Sequence, residues 1–233
     1  MNWLASLLRK APQLSTGQAA ALQAIQRLER CPMDTPLAAQ RFIVLDVEST
    51  GLDVFSDRLI AIGAVCVTSQ MIELGQGFET VLQQDNPSTT DNILIHGIGG
   101  TTQITGKNPA DALLQFMAYA GNAPLVAYHA DFDRAMMDRA TKTYLGTTLP
   151  NPWIDLAFIA PALFPQPAGA HRALDDWTTH FNIENTNRHN ALADACATAQ
   201  LLLVLLAHAN SSRCIRLQDF IQLEKDQRWL GRA

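Results

Sequence analysis

The sequence predicts an α/β protein: a mixed β-sheet with α-helices packed against it. Three observations carry this. Three strand patterns come first, at 41–48, 58–67 and 71–81. Helical patterns then alternate with short apolar strands. A long helix rich in Ala and Leu closes the series at 189–209. The order is β-β-β-α-β-α-β-α-α, and a sheet of that make-up needs helices to cover its faces.

Thr16–Arg30 reads as a helix, with Leu22, Ile25 and Leu28 at helical spacing and Pro32 and Pro36 after it. Residues 1–37 are therefore expected as a helical extension and linker, 38–209 as the main domain, and 210–233 as a polar tail with helical character around Leu217–Leu223. In the first strand, Phe42–Leu45 is apolar on both alternating faces, the pattern of a strand buried on both sides. Ile60, Ile62, Ala64 and Cys66 alternate along the second strand, and a short connection at Ser69-Gln70 reads as an antiparallel hairpin into the third. Asp91–His96 is a short helix. At 108–119, Asn108 suits a cap, Pro109 the first helical position, and Leu113, Leu114, Phe116 and Met117 an apolar face. Leu125–Tyr128 is a strand leading into a helix at 129–138. Trp153–Leu156 leads into a helix to Leu163, a Pro-marked loop follows around Pro165 and Pro167, and Leu174–Phe181 is a short helix.

Composition narrows the function. The formal net charge is −5, with no run of Lys and Arg. That argues against gripping long duplexes through many phosphates, and fits an enzyme that holds one chain end with metals as local positive charge. The four cysteines show neither a Cys-x-x-Cys pair nor zinc-ligand spacing, so they read as reduced thiols of a cytoplasmic protein. The apolar run Leu201–Ala207 is too short for a bilayer, and the basic pair Arg9-Lys10 follows the apolar residues of 1–12 instead of preceding them. Neither a membrane span nor a signal peptide is expected.

The chemistry-bearing stretch is Phe42–Leu52. Asp46 and Glu48 stand two apart on a strand, hence on one face at its end. Two carboxylates there repel and lose hydration unless a divalent cation compensates. The structural alternative is one acid capping a loop and one in water. Ser49, Thr50 and Gly51 then turn the chain. Asp131 and Asp133 lie about 200° apart on a helix. Asp133 shares the apolar face of Met136, Met137 and Ala140; Asp131 shares the polar one with Arg134 and Asp138. Asp133 is thus the inward acid, although the helix dipole alone favours an acid at that place. Asp194 lies among Ala, Leu and Cys, awkward for a solvated charge, and His189 stands at or before that helix's start. His171–Asp176 repeats the pattern His-x-Ala-x-x-Asp of His189–Asp194. The apolar helix after Asp194 selects the second copy, because it is long enough to cross the sheet; Asp175-Asp176 suits an exposed helix start.

Asp46-Val-Glu48, Phe132-Asp133 and His189-x-Ala-x-x-Asp194 together resemble the three motifs of the DEDDh (DnaQ-like) 3′→5′ exonucleases, which include the proofreading epsilon subunit of bacterial DNA polymerase III. The resemblance covers about residues 40–208 and implies a ribonuclease H-like fold. It implies that Asp46, Glu48, Asp133 and Asp194 ligate two Mg²⁺ or Mn²⁺ ions and that His189 is the general base. Thr50, Gly51, Leu52 and His96 resemble the family's positions near the terminal nucleotide. One departure is His129, where the family often has Asn. The implied substrate is a nucleic acid 3′ end, in single-stranded DNA or a short oligonucleotide; the terminal extensions could dock to a polymerase partner, but nothing in them specifies one. The rivals are the same chemistry on short RNA and a non-catalytic nucleic-acid-binding or polymerase-docking module.

Overall fold

The computed structural model describes residues 12–166, 169, 171–185, 187–211 and 214–230; residues 1–11 of the expected extension, and Pro167, lie outside these. Among the described residues, one sheet of six strands carries the fold: β1 Phe42–Ser49, β2 Leu59–Thr68, β3 Met71–Ile72, β4 Phe78–Val81, β5 Leu125–Ala127 and β6 Trp153–Asp155. The order is β3-β2-β1-β5-β6, with β4 also paired to β2. β1 is central, antiparallel to β2 and parallel to β5, and β5 is parallel to β6. The mixed α/β architecture is therefore as the sequence predicts. The expected third strand is interrupted: a 3₁₀ turn at Leu74–Gln76 divides it into β3 and β4, both on the same edge of β2. The hairpin turn holds Ser69 and Gln70 both at positive φ (49° and 58°), as a type I′ turn requires.

The helices are α1 Thr16–Gln26, α2 Thr90–His96, α3 Gly100–Ile104, α4 Pro109–Ala120, α5 Ala130–Leu145, α6 Leu156–Leu163, α7 Leu174–His180, α8 Ala191–Ser211 and α9 Leu217–Leu230. Asn108 caps α4 by accepting from the amides of Ala110 and Asp111, with Pro109 at the first position. Arg41 closes the other end of α4, donating to the carbonyls of Tyr119 and Ala120.

Alternation along β1 divides the core in two. Ile43, Leu45 and Val47 face α4 and α5, packing on Leu113, Phe116, Met136 and Met137. α1 joins this side through buried Leu22 and a bond from Gln18 Nε2 to Asp111 Oδ1 (2.8 Å). Phe42 and Val44 face α6, α7 and α8, packing on Leu156, Ile159, Trp177, Leu202 and Leu205. By parity, Asp46 and Glu48 belong to the α8 side.

Two elements differ from expectation. The helical character expected around Leu217–Leu223 is there, but as a longer helix, α9, that runs to Leu230, packs on α6 and buries Leu217 and Phe220 completely, so that the segment is not only a polar tail; its apolar residues are too few to stand out in the sequence, but they share one helical stripe. The residues leading into α9 pair with the N-terminal linker, through Leu37 N–H to Ile215 O (2.8 Å), Leu217 N–H to Thr35 O (3.0 Å) and Gln218 N–H to Met33 O (2.9 Å). The second difference is α8. Over Ala191–Ala209 it is long and apolar enough to cross a membrane by length and composition, where the run from Leu201 looked too short. Its apolarity is that of a core helix: it packs on β1 and β2 on one side and on α6 and α7 on the other.

α8 meets the sheet at Gly63, the residue of β2 directly opposite Asp46. A Cβ at Gly63 would overlap the Leu192 amide nitrogen and the Ala191 carbonyl carbon, both backbone atoms. We expect Gly63→Ala to lower stability by about 1–3 kcal/mol in urea unfolding, the usual range for overpacking. Gly75→Ala, where nothing lies within 4 Å, is the control and should change little. Equal stability of the two variants would mean that α8 does not need this close approach.

Candidate active site

The acids gather at the C-terminal end of β1. Asp46 and Glu48 share the α8 face, and a register shift in the β1–β2 pairing follows Glu48, a bulge of the kind that re-aims strand-end side chains. The close approach at Gly63 brings the first turn of α8 over this strand end. Ligand oxygens of Asp46, Glu48 and Asp194 consequently lie within 4.8 Å of one another. Asp133, on the first turn of α5, is 4% exposed, whereas the Asp131 side chain is 75% exposed. Asp133 lies outside the tight trio, but its charge acts on Asp46.

This concentration of acid shows in the protonation equilibria. Burial, then the charges of Asp133, Glu48 and Asp194, push the Asp46 carboxyl well above its ordinary range. Burial and Asp194 push Glu48 up to about 8, with Arg188 opposing. Asp133 is raised chiefly by burial, against backbone hydrogen bonds that favour its charged form. Glu48 Oε1 is buried with no hydrogen-bond partner among the described residues. An unpartnered buried oxygen beside two further hard-oxygen donors fits a divalent cation such as Mg²⁺ or Mn²⁺.

Asp194 itself is well supplied with donors. Asn185 Nδ2 and Arg188 Nη1 reach Oδ1, each at 2.5 Å, and the His189 amide reaches Oδ2 at 2.9 Å. His189 precedes α8 at φ 62°, a left-handed conformation more open to His than to most residues, and its side chain is exposed. The other copy of the pattern is placed differently. Asp176 Oδ2 accepts from the amides of Arg172 and Ala173 at the start of α7, and the His171 ring packs among Trp177 and His180.

Of the residues expected near a nucleotide, Leu52 is 87% exposed beside the acids. Thr50 is tied into its loop, its hydroxyl donating to Asp57 Oδ1 (2.7 Å) and accepting from the Arg58 amide. A Cβ on Gly51 would meet Asp57 Oδ2 at 2.5 Å, so a larger residue there would have to push aside the carboxylate that holds Thr50. His96 lines the same cleft as His189. It lies on a cleft wall with Leu94 and Ile95, but it is buried and both ring nitrogens are engaged locally. Nδ1 accepts from the Ile98 amide, and Nε2 meets Asn92 Oδ1 at 2.9 Å. Asn92 in turn donates to the Ser49 carbonyl, so His96 reaches the loop after β1 through Asn92.

Sequence reasoning missed a second charged group behind the site. Asp155 at the end of β6 is 2% exposed; its Oδ1 accepts from the amides of His129 and Ala157. Arg228 of α9 pairs with Asp155 Oδ2 (3.1 Å), Asp131 Oδ2 (2.7 Å) and Glu224 Oε1 (2.7 Å), and stacks over Phe158. The network holds the entry to α5, where His129 adopts φ 61°. Since Asn and His both tolerate that region, the departure at His129 keeps the backbone its position needs. Asp155 had a readable signal, an acid at a strand end before a helix; Arg228, 73 residues further on, had none.

A family model described as exonuclease, of the RNase T type, matches residues 43–202. A DNA polymerase III subunit epsilon-like protein of Rhodobacter capsulatus is 31% identical over 176 residues, 74% of this chain and 25% of that protein. The PolC-type DNA polymerase III of Bacillus subtilis is 32% identical over 174 residues, 74% of this chain but 12% of that protein. The chain thus spans a quarter or less of these relatives' length. Among solved structures, E. coli exonuclease I in complex with a dT13 oligonucleotide matches with a TM-score of 0.64 at 19% identity, over 74% of this chain and 42% of that one. Exonuclease X in complex with 5′-overhanging duplex DNA matches with a TM-score of 0.59 at 21% identity, over 79% of this chain and 99% of that one. These likenesses establish the ribonuclease H-like fold.

The raised carboxyls set a stability profile. Glu48 holds its proton more tightly folded than unfolded, so its favourable contribution is complete below its ordinary 4.5 and is lost as pH rises towards about 8. Asp46 and Asp133 act in the same direction. In EDTA, the thermal midpoint should therefore fall across that window, and excess Mn²⁺ should flatten the fall by favouring the ionised acids. A midpoint that rises with pH in EDTA would contradict the clustering of the acids.

Proposed function

The chain belongs to the exonuclease family, and from that premise we propose that it hydrolyses phosphodiester bonds from the 3′ end of a nucleic acid strand with two divalent cations. The observation that carries this is the convergence of Asp46, Glu48 and Asp194 within 4.8 Å, with Glu48 Oε1 buried and unpartnered. These three acids and Asp133 would hold the cations, Mg²⁺ or Mn²⁺. When bound, such ions clamp the scissile phosphate, make water a better nucleophile and take up charge on the leaving 3′ oxygen. Their charge also removes the repulsion that raises the carboxyl pKa values.

The chain's own residues supply the rest. His189 is exposed at the rim, with its backbone held by Asp194, so its imidazole can take the water's proton and exchange it with solvent. The Thr50-Gly51-Leu52 turn is braced by Asp57 and presents Leu52 to solvent. Leu94 and Ile95, 77% and 55% accessible, line the cleft of Arg188 and His189, and Leu52, on the turn after β1, is 87% accessible. They give the unstacked bases of a strand end something apolar to lie against. Single-stranded DNA is the favoured substrate, because the structural neighbours include an exonuclease bound to a dT oligomer. A replicative polymerase is the proposed partner, on the strength of the epsilon-like and PolC-type relatives, and the cytoplasm is the proposed location.

A 5′-labelled single-stranded DNA, a duplex and a short RNA, each incubated with and without Mn²⁺, test the reading directly. Asp46→Ala should abolish cleavage, weaken Mn²⁺ binding in calorimetry and leave metal-free thermal stability unchanged or higher. Full activity in that variant would sink the metal mechanism. His189→Ala should slow turnover by about 10²–10⁴-fold, the usual worth of a general base. His171→Ala should stay within a few-fold of wild type.

The two acids of α5 give a separate test. Asp133→Asn should lose nearly all activity, while Asp131→Asn, altering an exposed side chain, should lose little. The reverse result would reassign the inward face of the helix.

A further inference from the structure

Arg188 is unusual in being bound to the acid cluster and open to solvent at once. Its Nη1 pairs with Asp194 Oδ1 (2.5 Å) and its Nε with Asp175 Oδ1 on α7 (2.7 Å). The Asp194 side chain is 5% exposed, whereas those of Arg188 and Asp175 are 35% and 59% exposed. Two clefts flank the acids. One is lined by Asp46, Tyr128, His129 and Arg172, the other by His96, Gly97, Asn187 and His189. Among the described residues, Arg188 alone lines both.

Arg188 and a metal ion ask for the same oxygen. Asp194 Oδ2 takes the His189 amide, and Oδ1 takes both Asn185 Nδ2 and the guanidinium; of these donors only Arg188 is charged, so a cation bound through Oδ1 must displace Nη1 or endure repulsion at contact distance. Once displaced, the guanidinium still has the Asp175 carboxylate beside it, 2.7 Å from Nε, and stands between the two clefts. A guanidinium there has the planar fork that matches phosphate oxygens, and phosphate is what a strand crossing the clefts presents.

We propose that Arg188 is an exchangeable cation of the site, neutralising Asp194 in one arrangement and binding a backbone phosphate of the substrate strand in the other. This rests on the exonuclease reading for the identity of the strand. It follows that metal and nucleic acid bind with positive coupling: each favours release of Arg188 from Asp194, and by linkage each raises the other's affinity by the same factor.

Calorimetric titration of Mn²⁺, with and without a short phosphorothioate oligothymidylate that resists cleavage, reads this coupling. In wild type the oligonucleotide should tighten Mn²⁺ binding by about tenfold, within the usual range of such couplings. Arg188→Gln should bind Mn²⁺ more tightly than wild type without oligonucleotide, because the competitor is gone. It should bind the oligonucleotide several-fold more weakly by fluorescence anisotropy, and its coupling should fall several-fold below that of wild type, to what direct contact between cation and phosphate supplies. If Arg188→Gln does not fold, Arg188→Lys carries the test. That variant keeps a point charge without the fork, and should lose most of the coupling while its Mn²⁺ affinity alone stays within a few-fold. Coupling as large in the variant as in wild type, or Mn²⁺ binding in Arg188→Gln no tighter than in wild type, overturns the proposal and leaves the exonuclease reading intact. Failure of wild type to bind Mn²⁺ at all overturns both.

Discussion

The contact on which the rest of this structure depends is backbone against backbone: the first turn of α8 lying on Gly63 of β2. Any side chain at Gly63 would hold the helix off the sheet. Because Gly63 pairs with Asp46, the point of closest approach is also the point where the third acid joins the first two. Packing supplies the force. α8 brings Leu201, Leu202, Leu205 and Leu206 down on the α8 side of the sheet, and burying such side chains contributes on the order of 1.5–3 kcal/mol each. The apolar half of the helix thereby holds its charged end where three carboxylates repel one another.

Two arginines manage the resulting charge in different ways. Arg228 is locked: three carboxylates and the Phe158 ring hold it, and Asp155 has two backbone donors besides. Its task is architectural, fixing the left-handed His129 and the entry to α5. It stands outside the stretch matched by the family model, so α9 contributes to the second motif from beyond the family domain. Arg188 is about one-third exposed and stands next to His189, immediately before the third motif. Buried ion pairs of the first kind confer fixed geometry; partly solvated pairs of the second kind are held weakly enough to be exchanged.

Much of this was legible in the sequence because it rests on local periodicity. The two-residue repeat of β1 placed Asp46 and Glu48 on one face, and the helical period separated buried Asp133 from exposed Asp131. The cap of α4 was readable from Asn108-Pro109, and the length of the apolar stretch after Asp194 pointed to the helix that crosses the sheet. What was not legible depends on partners far along the chain. The strand expected over 71–81 breaks because its edge pairs with β2 in two separate pieces. The buried stripe of α9 appears only once α6 is there to receive it. The local bonds of His96 were not legible either: Nε2 meets Asn92 Oδ1 and Nδ1 accepts from the Ile98 amide.

The pairing of the linker at 33–37 with the residues entering α9 joins the two flanks of the domain into one cooperative unit. Neither flank can open without breaking the same three backbone hydrogen bonds. The amides of Leu37 and Leu217, far apart in sequence, therefore share one opening event and one protection against hydrogen exchange. Arg228, the cation that holds Asp155 beside the start of α5, belongs to the same α9. The firmness with which buried Asp133 is held thus depends in part on how well the flanks of the chain stay paired.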